Sequence, residues 1–116
     1  MTEVSSLQKK MLEEMKDHDL FQKAESFGLE YLSKALERNV YPSDKALSDL
    51  KKFDEELPSS TGDAYSVLQQ LNDFGGPATV TTIGSRYFGF VTGSVLPASL
   101  AAKNLSIFWD QVSAMQ

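Results

Sequence analysis

Apolar residues recur at helical spacing in five stretches of this 116-residue chain, and most of these stretches are separated by runs containing proline or glycine. The spacing predicts five helices, over residues 2–16, 20–38, 43–57, 63–74 and 97–113. Asp19 is the expected N-cap of the second helix, with Gln22 completing a capping box. Either Ser43 or Asp44 is expected to cap the third helix.

The breaks between the stretches predict where the helices end. Pro42 disfavours helical backbone at Tyr41 and so limits the second helix. Gly75-Gly76-Pro77 is expected to end the fourth helix through a left-handed glycine cap. The sequence therefore predicts a mainly α fold with an irregular or extended segment near 78–95. An N-terminal helix within 1–18 is expected to fray because it is terminal.

Charge and residue usage exclude several classes of function. The formal net charge is −5, so the chain lacks the clustered lysine and arginine of a nucleic-acid surface or a membrane-bound basic patch. There is no cysteine, which removes thiolate chemistry and cysteine metal sites. The single histidine, His18, lies between Asp17 and Asp19; a solvated helix start is the expected interpretation, and no metal is expected there.

The N-terminal residues are amphipathic and mixed in charge, unlike a secretory signal. The most apolar run, Phe88 to Ala102, is shorter than the roughly 20 residues that span a bilayer, and glycine and proline interrupt it. A cytoplasmic protein without a membrane partner is therefore expected.

The stretch from Ser85 to Gln111 is the most informative part of the sequence for function. It places aromatic residues beside Gly89, Gly93 and Pro97 and then enters an apolar helix. Glycine lets the backbone approach a ligand closely, and proline fixes a turn. This composition favours a binding loop over a simple connection between packed helices.

Four stretches, taken in order, resemble the N-terminal part of the pyridoxal-phosphate-dependent group II amino-acid decarboxylases, the family of the aromatic-amino-acid and glutamate decarboxylases. They are a helix end before a V-x-P turn, a helix stop, an R-[FY]-F-G-F signature and the helix that follows it, found here at 36–42, 73–79, 86–93 and 96–111. The resemblance implies that residues 19–116 are the N-terminal arm of such an enzyme, a fold-type I pyridoxal-phosphate-dependent transferase-like α/β protein roughly three or four times as long as this chain. The large cofactor-binding domain would then be absent from this chain.

The resemblance implies pyridoxal phosphate as the cofactor of the complete enzyme, but not as a ligand of this chain alone. The family's Schiff-base lysine follows a histidine, and this chain has no His-Lys pair. Lys103 is the only lysine near the signature loop, and a helix-surface role is the expected one. Whether the chain is itself an enzyme is left open, and no catalytic residue is assigned.

The resemblance also implies a set of substrate-binding residues in the loop. Phe88, Phe90 and Val91 would form an apolar wall, and Gly93 would allow a close backbone approach. Thr92 or Ser94 would offer a hydroxyl group to the substrate or cofactor, and the choice between the two stays open. Tyr87 is expected to pack, and Arg86 to form a surface or interface salt bridge.

The implied partners are the remainder of the enzyme, a second subunit of a homodimer and an amino-acid substrate. The alternative is a free-standing helical interaction module without catalysis. The chain alone is expected to self-associate through the apolar stripes of the second and last helices, because isolated helices gain most of their stability by packing apolar faces. A stable monomer at high concentration would instead favour the interaction module.

Overall fold

The computed structural model describes residues 5–84, 86–91 and 95–111. Within these ranges the chain has five α-helices and no β-strand, which confirms the mainly α prediction. The helices are α1 (Ser6–Met15), α2 (His18–Lys34), α3 (Asp44–Asp49), α4 (Ala64–Gln70) and α5 (Pro97–Ile107).

Most helices begin where a side chain can bond a free backbone N–H group within three residues. Ser43 caps α3 by accepting from the Ala46 amide at 3.1 Å, and Asp63 caps α4 by accepting from the Ser66 amide at 3.0 Å. Pro97 lies in the first turn of α5, as predicted, where a missing N–H group costs nothing.

The N-cap predicted for α2 is wrong by two residues. The carboxylate of Asp17 accepts from the Leu20 amide at 3.4 Å, so the helix starts at His18 and includes Asp19 in its first turn. Asp19 there still favours the helix, because a negative charge near the N-terminus complements the helix dipole. Both aspartates suit the position by type, and the sequence pattern alone did not separate them.

Three of the first four helices end differently from the prediction. The second ends at Lys34, four residues before the predicted end at Arg38. The third helix leaves α geometry after Asp49 and continues only as a 3-10 turn, Leu50–Phe53, so that 54–57 are not helical. The fourth widens into a π-helical turn, Leu71–Gly75, and then tightens into a 3-10 turn, Gly76–Ala78.

The left-handed glycine cap predicted after α4 does not form. Gly75 and Gly76 have φ values of −79° and −54°, both right-handed. The Gly76 amide instead bonds the Leu71 carbonyl, five residues back, which satisfies it without a reversal of the chain. A Cβ atom at Gly75 would lie 3.1 Å from a methyl carbon of Leu71, so the small residue also serves close packing here.

The segment predicted to be irregular or extended contains no strand in its described residues. Thr79 has extended backbone angles, and its neighbour Thr81 is 3% exposed and donates its amide to the Val40 carbonyl at 2.8 Å. This bond is one of several that join the segment to the chain that follows α2. The last helix leaves α geometry after Ile107, earlier than predicted; residues 112 and 113 lie outside the described ranges.

The helices leave an unusually large surface uncovered. The accessible area is 10020 Å², against roughly 6,300 Å² for a compact monomer of this mass. The radius of gyration is 17.7 Å, against about 13 Å for a compact domain of this length. Among the described apolar residues only Ala35 and Ala46 are buried. The apolar stripes predicted as core are therefore largely exposed within this single chain.

A tyrosine–aspartate bond joins two of the helices. The Tyr65 hydroxyl, on α4, donates to the Asp17 carboxylate at 2.7 Å, so the residue that caps α2 also anchors α4. The hydrogen bond to Asp17, with partial desolvation and nearby carboxylates adding, raises the pKa of Tyr65 to about 12.

We expect this bond to give a pH-dependent contribution to stability. Because the pKa of Tyr65 is raised in the folded chain, its contribution is complete below the unfolded value of about 10 and is lost as the pH approaches 12. Tyr65→Phe should lower the thermal midpoint at pH 7 to 9, and the difference from the unsubstituted chain should shrink between pH 10 and 12. Tyr41→Phe, at a ring 70% exposed, is the matched control. A difference that stays constant up to pH 12 would contradict this assignment.

Candidate functional site

The aromatic loop, residues 86–91, presents its phenylalanines to solvent. Phe88 is 86% exposed and Phe90 is 93% exposed. Val91 ends the short 3-10 turn Gly89–Val91. Thr92, Gly93 and Ser94, the other residues implied in substrate binding, lie outside the described residues. Phe88 and Phe90 are therefore available to contact a ligand or partner, and burial within this chain does not explain either of them.

The backbone of Phe90 is left-handed, with φ 54° and ψ 21°. Residues other than glycine, asparagine and aspartate rarely adopt this conformation, and it costs about 1 kcal/mol or more. Burial of the ring does not offset that cost, because the ring is almost fully exposed. Strain of this kind persists at binding sites, where the conformation serves contacts made outside the chain.

Tyr87 packs within the loop, as expected. The residue is half-buried, and a Cβ atom placed on Gly89 would lie 2.5 Å from the Tyr87 hydroxyl oxygen and 2.7 Å from its ring carbon. Glycine at position 89 therefore lets the tyrosine ring lie against the backbone. This contact leaves Phe88 and Phe90 as the outward-facing rings of the loop.

Arg86 forms no surface salt bridge with the described residues, and the alternative expectation of an interface salt bridge stays a prediction. Its Nη2 atom donates to the Leu36 carbonyl oxygen at 2.7 Å and to the Arg38 carbonyl oxygen. No ion pair of Arg86 occurs among the described residues. These carbonyls follow the last turn of α2, where backbone acceptors lack helical partners and a positive charge is favoured. Arg86 thus anchors the start of the loop to the end of α2.

Arg38 is the residue that sequence reasoning missed. Its guanidinium donates to the carbonyl oxygens of Gly76 and Pro77, both at 3.2 Å, and of Thr79 at 3.0 Å. It also lies 5.2 Å from the centre of the Tyr31 ring. The sequence carried no signal for these contacts, because a basic residue near a helix end ordinarily bonds the last carbonyl groups of its own helix.

The described residues do not assemble a complete pyridoxal phosphate site. Lys103 is exposed on α5, as expected of a helix-surface lysine, and a Schiff-base lysine needs an apolar or cationic enclosure. Arg38 and Arg86, the two arginines of the chain, donate to backbone carbonyls rather than facing a vacant phosphate position.

An apolar cleft of about 590 Å³ lies between α1, α2 and α4. Its walls are formed by apolar side chains from all three helices: Leu7, Met11, Leu20, Phe21, Ala24, Val67, Leu68 and Leu71. Most of these residues were predicted as core. The ring of Phe21 also meets Phe108, beyond the end of α5, edge to face at 5.8 Å. The cleft was missed because the spacing shows which face of a helix is apolar and not whether another element covers it.

The described residues provide neither a cluster of metal ligands nor a membrane-spanning helix. Across 5–84, 86–91 and 95–111, no three histidine, aspartate or glutamate side chains lie close enough to hold a metal ion. His18 is exposed in the first turn of α2. In the same ranges, every helix is too short or too polar to cross a membrane.

Comparison of the chain with protein-family models, with curated proteins and with solved structures gives no match. The class that the geometry itself defines is an open, mainly helical chain that presents a strained aromatic loop.

Proposed function

We propose that this chain is the N-terminal dimerisation and substrate-pocket segment of a cytoplasmic, pyridoxal-phosphate-dependent amino-acid decarboxylase, a carboxy-lyase of amino-acid metabolism. The observation that carries the proposal is the aromatic loop, in which Phe90 is strained and yet 93% exposed. The order of the four family-like stretches supports it, since the R-Y-F-G-F signature coincides with this loop.

In the complete enzyme the loop would line the pocket for the substrate side chain. Phe88, Phe90 and Val91 would form the apolar wall, and Gly93 would allow the backbone to come close. Thr92 or Ser94 would donate a hydroxyl hydrogen bond to the substrate carboxylate or to a cofactor phosphate. None of these residues would take part in covalent chemistry. Pyridoxal phosphate would be held by the remainder of the enzyme.

The large uncovered surface supports a partner that completes the fold. The accessible area of 10020 Å² exceeds that of a compact monomer by roughly 3,700 Å². Stable interfaces between subunits bury about 1,200 to 2,000 Å² in total, and obligate ones bury more. The remainder of the enzyme and a second subunit are the proposed sources of that cover.

We expect the chain alone not to form a covalent lysine adduct with pyridoxal phosphate above background. Because Lys103 is exposed on a helix, nothing in its surroundings favours a Schiff base there. Borohydride reduction followed by peptide mapping should give the same weak labelling in the unsubstituted chain and in Lys103→Ala. A single strongly labelled lysine, lost in Lys103→Ala, would contradict the expectation and give this chain a catalytic residue.

The proposal is tested directly by reading the coding sequence that adjoins the codon for Gln116. An in-frame continuation, or a neighbouring frame, that encodes an α/β domain with a His-Lys pair is the expected result. Adjoining sequence that encodes no such domain would overturn the proposal.

A free-standing helical interaction module is the second candidate. The observation that favours it is the apolar cleft, because α1, α2 and α4 form it without any other chain. A module of this kind would hold an apolar helix or loop of another protein. Solutions of the chain that stay monomeric at high concentration would favour the module, whereas association favours the decarboxylase segment.

A further inference from the structure

Both arginines of the chain meet at one place, the C-terminal end of α2. Arg38 projects from that end to the backbone at 76–79, and Arg86 reaches back to it from the start of the aromatic loop. We call these two arginines and the five carbonyl groups that they bind the arginine clasp; the carbonyls belong to Leu36, Arg38, Gly76, Pro77 and Thr79.

We propose that Arg38 and Arg86 are positioning residues that hold the aromatic loop at the end of α2. The arginine clasp fixes the position of the loop. It would do so whether the loop lines an enzyme pocket or contacts another protein. It therefore does not depend on the proposed function.

Each arginine serves the end of a different helical run. Arg86 supplies donors to the carbonyls of Leu36 and Arg38, which follow α2. Arg38 supplies donors to the carbonyls of Gly76 and Thr79, which lie in and after the 3-10 turn that follows α4. Helix ends carry unpaired acceptors and negative partial charge, so a guanidinium is well suited to each. Removal of Arg38 would release residues 76–79 from the end of α2, and removal of Arg86 would release the start of the aromatic loop from it.

Further contacts place the two chain segments side by side. The Tyr31 hydroxyl lies 2.8 Å from the Thr79 hydroxyl, and the Arg38 guanidinium lies over the same tyrosine ring. Thr81, 3% exposed, donates to the Val40 carbonyl at 2.8 Å. Residues 76–84 and Arg86 are thus held against α2 and residues 36–40, by arginine contacts at both ends and by Thr81 in the middle.

The turn that leads to Arg86 needs glycine. Gly84 has φ +107°, a conformation that L side chains rarely adopt, and a Cβ atom there would lie 2.8 Å from a methyl carbon of Leu36. The backbone at 84 therefore passes close to Leu36, just after the end of α2. The geometry explains why the loop begins beside α2 rather than elsewhere on the surface.

Lysine cannot replace arginine in the clasp. The two terminal nitrogens of Arg38 reach four acceptors, three carbonyl oxygens and the Thr79 hydroxyl oxygen, from one planar fork. Lysine keeps the charge but presents a single nitrogen without fixed directions. Substitution by lysine therefore separates a requirement for geometry from a requirement for positive charge.

Limited trypsin digestion of the full chain tests the clasp, because cleavage after Arg86 requires that its side chain leave the carbonyls of α2. The measured quantity is the rate of cleavage after Arg86 divided by the rate after Lys9 in α1. Arg38→Ala and Arg38→Lys should each raise this ratio roughly tenfold, as expected for the loss of several hydrogen bonds. Lys34→Ala removes a cation from the last turn of α2 that pairs with Glu30, and should change the ratio less than about twofold.

An unchanged ratio in Arg38→Ala would overturn the proposal, and so would a ratio at the unsubstituted value in Arg38→Lys. If Arg38→Ala lost its helical circular dichroism, hydrogen exchange of the amides at 87–91 in Arg86→Lys would decide the question. Faster exchange there than in the unsubstituted chain, with α1 amides unchanged, supports the clasp. Equal exchange refutes it.

Discussion

Phe90→Gly is expected to stabilise this chain, although it removes a large aromatic side chain. The φ value of 54° at this position costs phenylalanine about 1 kcal/mol, and glycine adopts it freely. Little burial is lost, since the ring is 93% exposed. Glycine also increases the freedom of the unfolded chain, which offsets about half or more of the relieved strain. The free energy of unfolding should therefore rise by roughly 0.5 kcal/mol, which raises the thermal midpoint by about 2 °C for a chain of this size.

Phe88→Gly is the matched control for that substitution. Phe88 is similarly exposed, at 86%, but it is not among the described residues with positive φ. Glycine there should lower stability by about 0.5 to 1 kcal/mol, because it increases the freedom of the unfolded chain. Scanning calorimetry of the two variants should therefore give shifts of opposite sign. Destabilisation by both would show that Phe90 is not strained and would remove the main observation behind the candidate site.

The second large effect is self-association. The mass measured by sedimentation equilibrium should rise with protein concentration from the monomer value of 12.8 kDa, because most apolar stripe residues remain exposed. Leu105→Glu, on α5 at a position 54% exposed, should raise the dissociation constant at least roughly tenfold. Glutamate is a good helix former, so α5 itself should persist.

Leu57→Glu provides the control for association. It makes the same change in charge and size at a residue 94% exposed in the irregular segment after α3, and it should leave the dissociation constant unchanged. A concentration-independent mass of 12.8 kDa for the unsubstituted chain would contradict association and favour the interaction module. An equal increase in the dissociation constant for Leu105→Glu and Leu57→Glu would show that the added negative charge weakens association nonspecifically.

The start of a helix could be predicted here because it depends on few neighbouring residues. Ser43 bonds an amide three positions away, and Pro97 needs only to stand in the first turn. The error at α2 has the same local origin, since Asp17 and Asp19 are both competent caps and the bond to Tyr65, 48 positions away, favours Asp17. Helix ends were predicted less well because their partners are distant, as Arg86 is from Leu36.

The candidate site was predicted in part. The aromatic and glycine composition of 86–91 indicated a binding loop, and the structure adds that Phe90 is left-handed and that Phe88 and Phe90 are exposed. The roles implied for Thr92, Gly93 and Ser94 remain predictions, since these residues lie outside the described ranges. Arg38 could not be assigned a role, because its acceptors are 38 to 41 residues away in sequence.

The sequence by itself determined the mainly α class, the number of helices and which face of each helix is apolar, because periodicity and capping act over one or two turns. Only the tertiary structure decided that those faces stay largely uncovered, that an apolar cleft opens between α1, α2 and α4, and that two arginines hold the loop at the end of α2. These features depend on contacts between residues tens of positions apart, and local sequence patterns do not predict which distant residues come into contact.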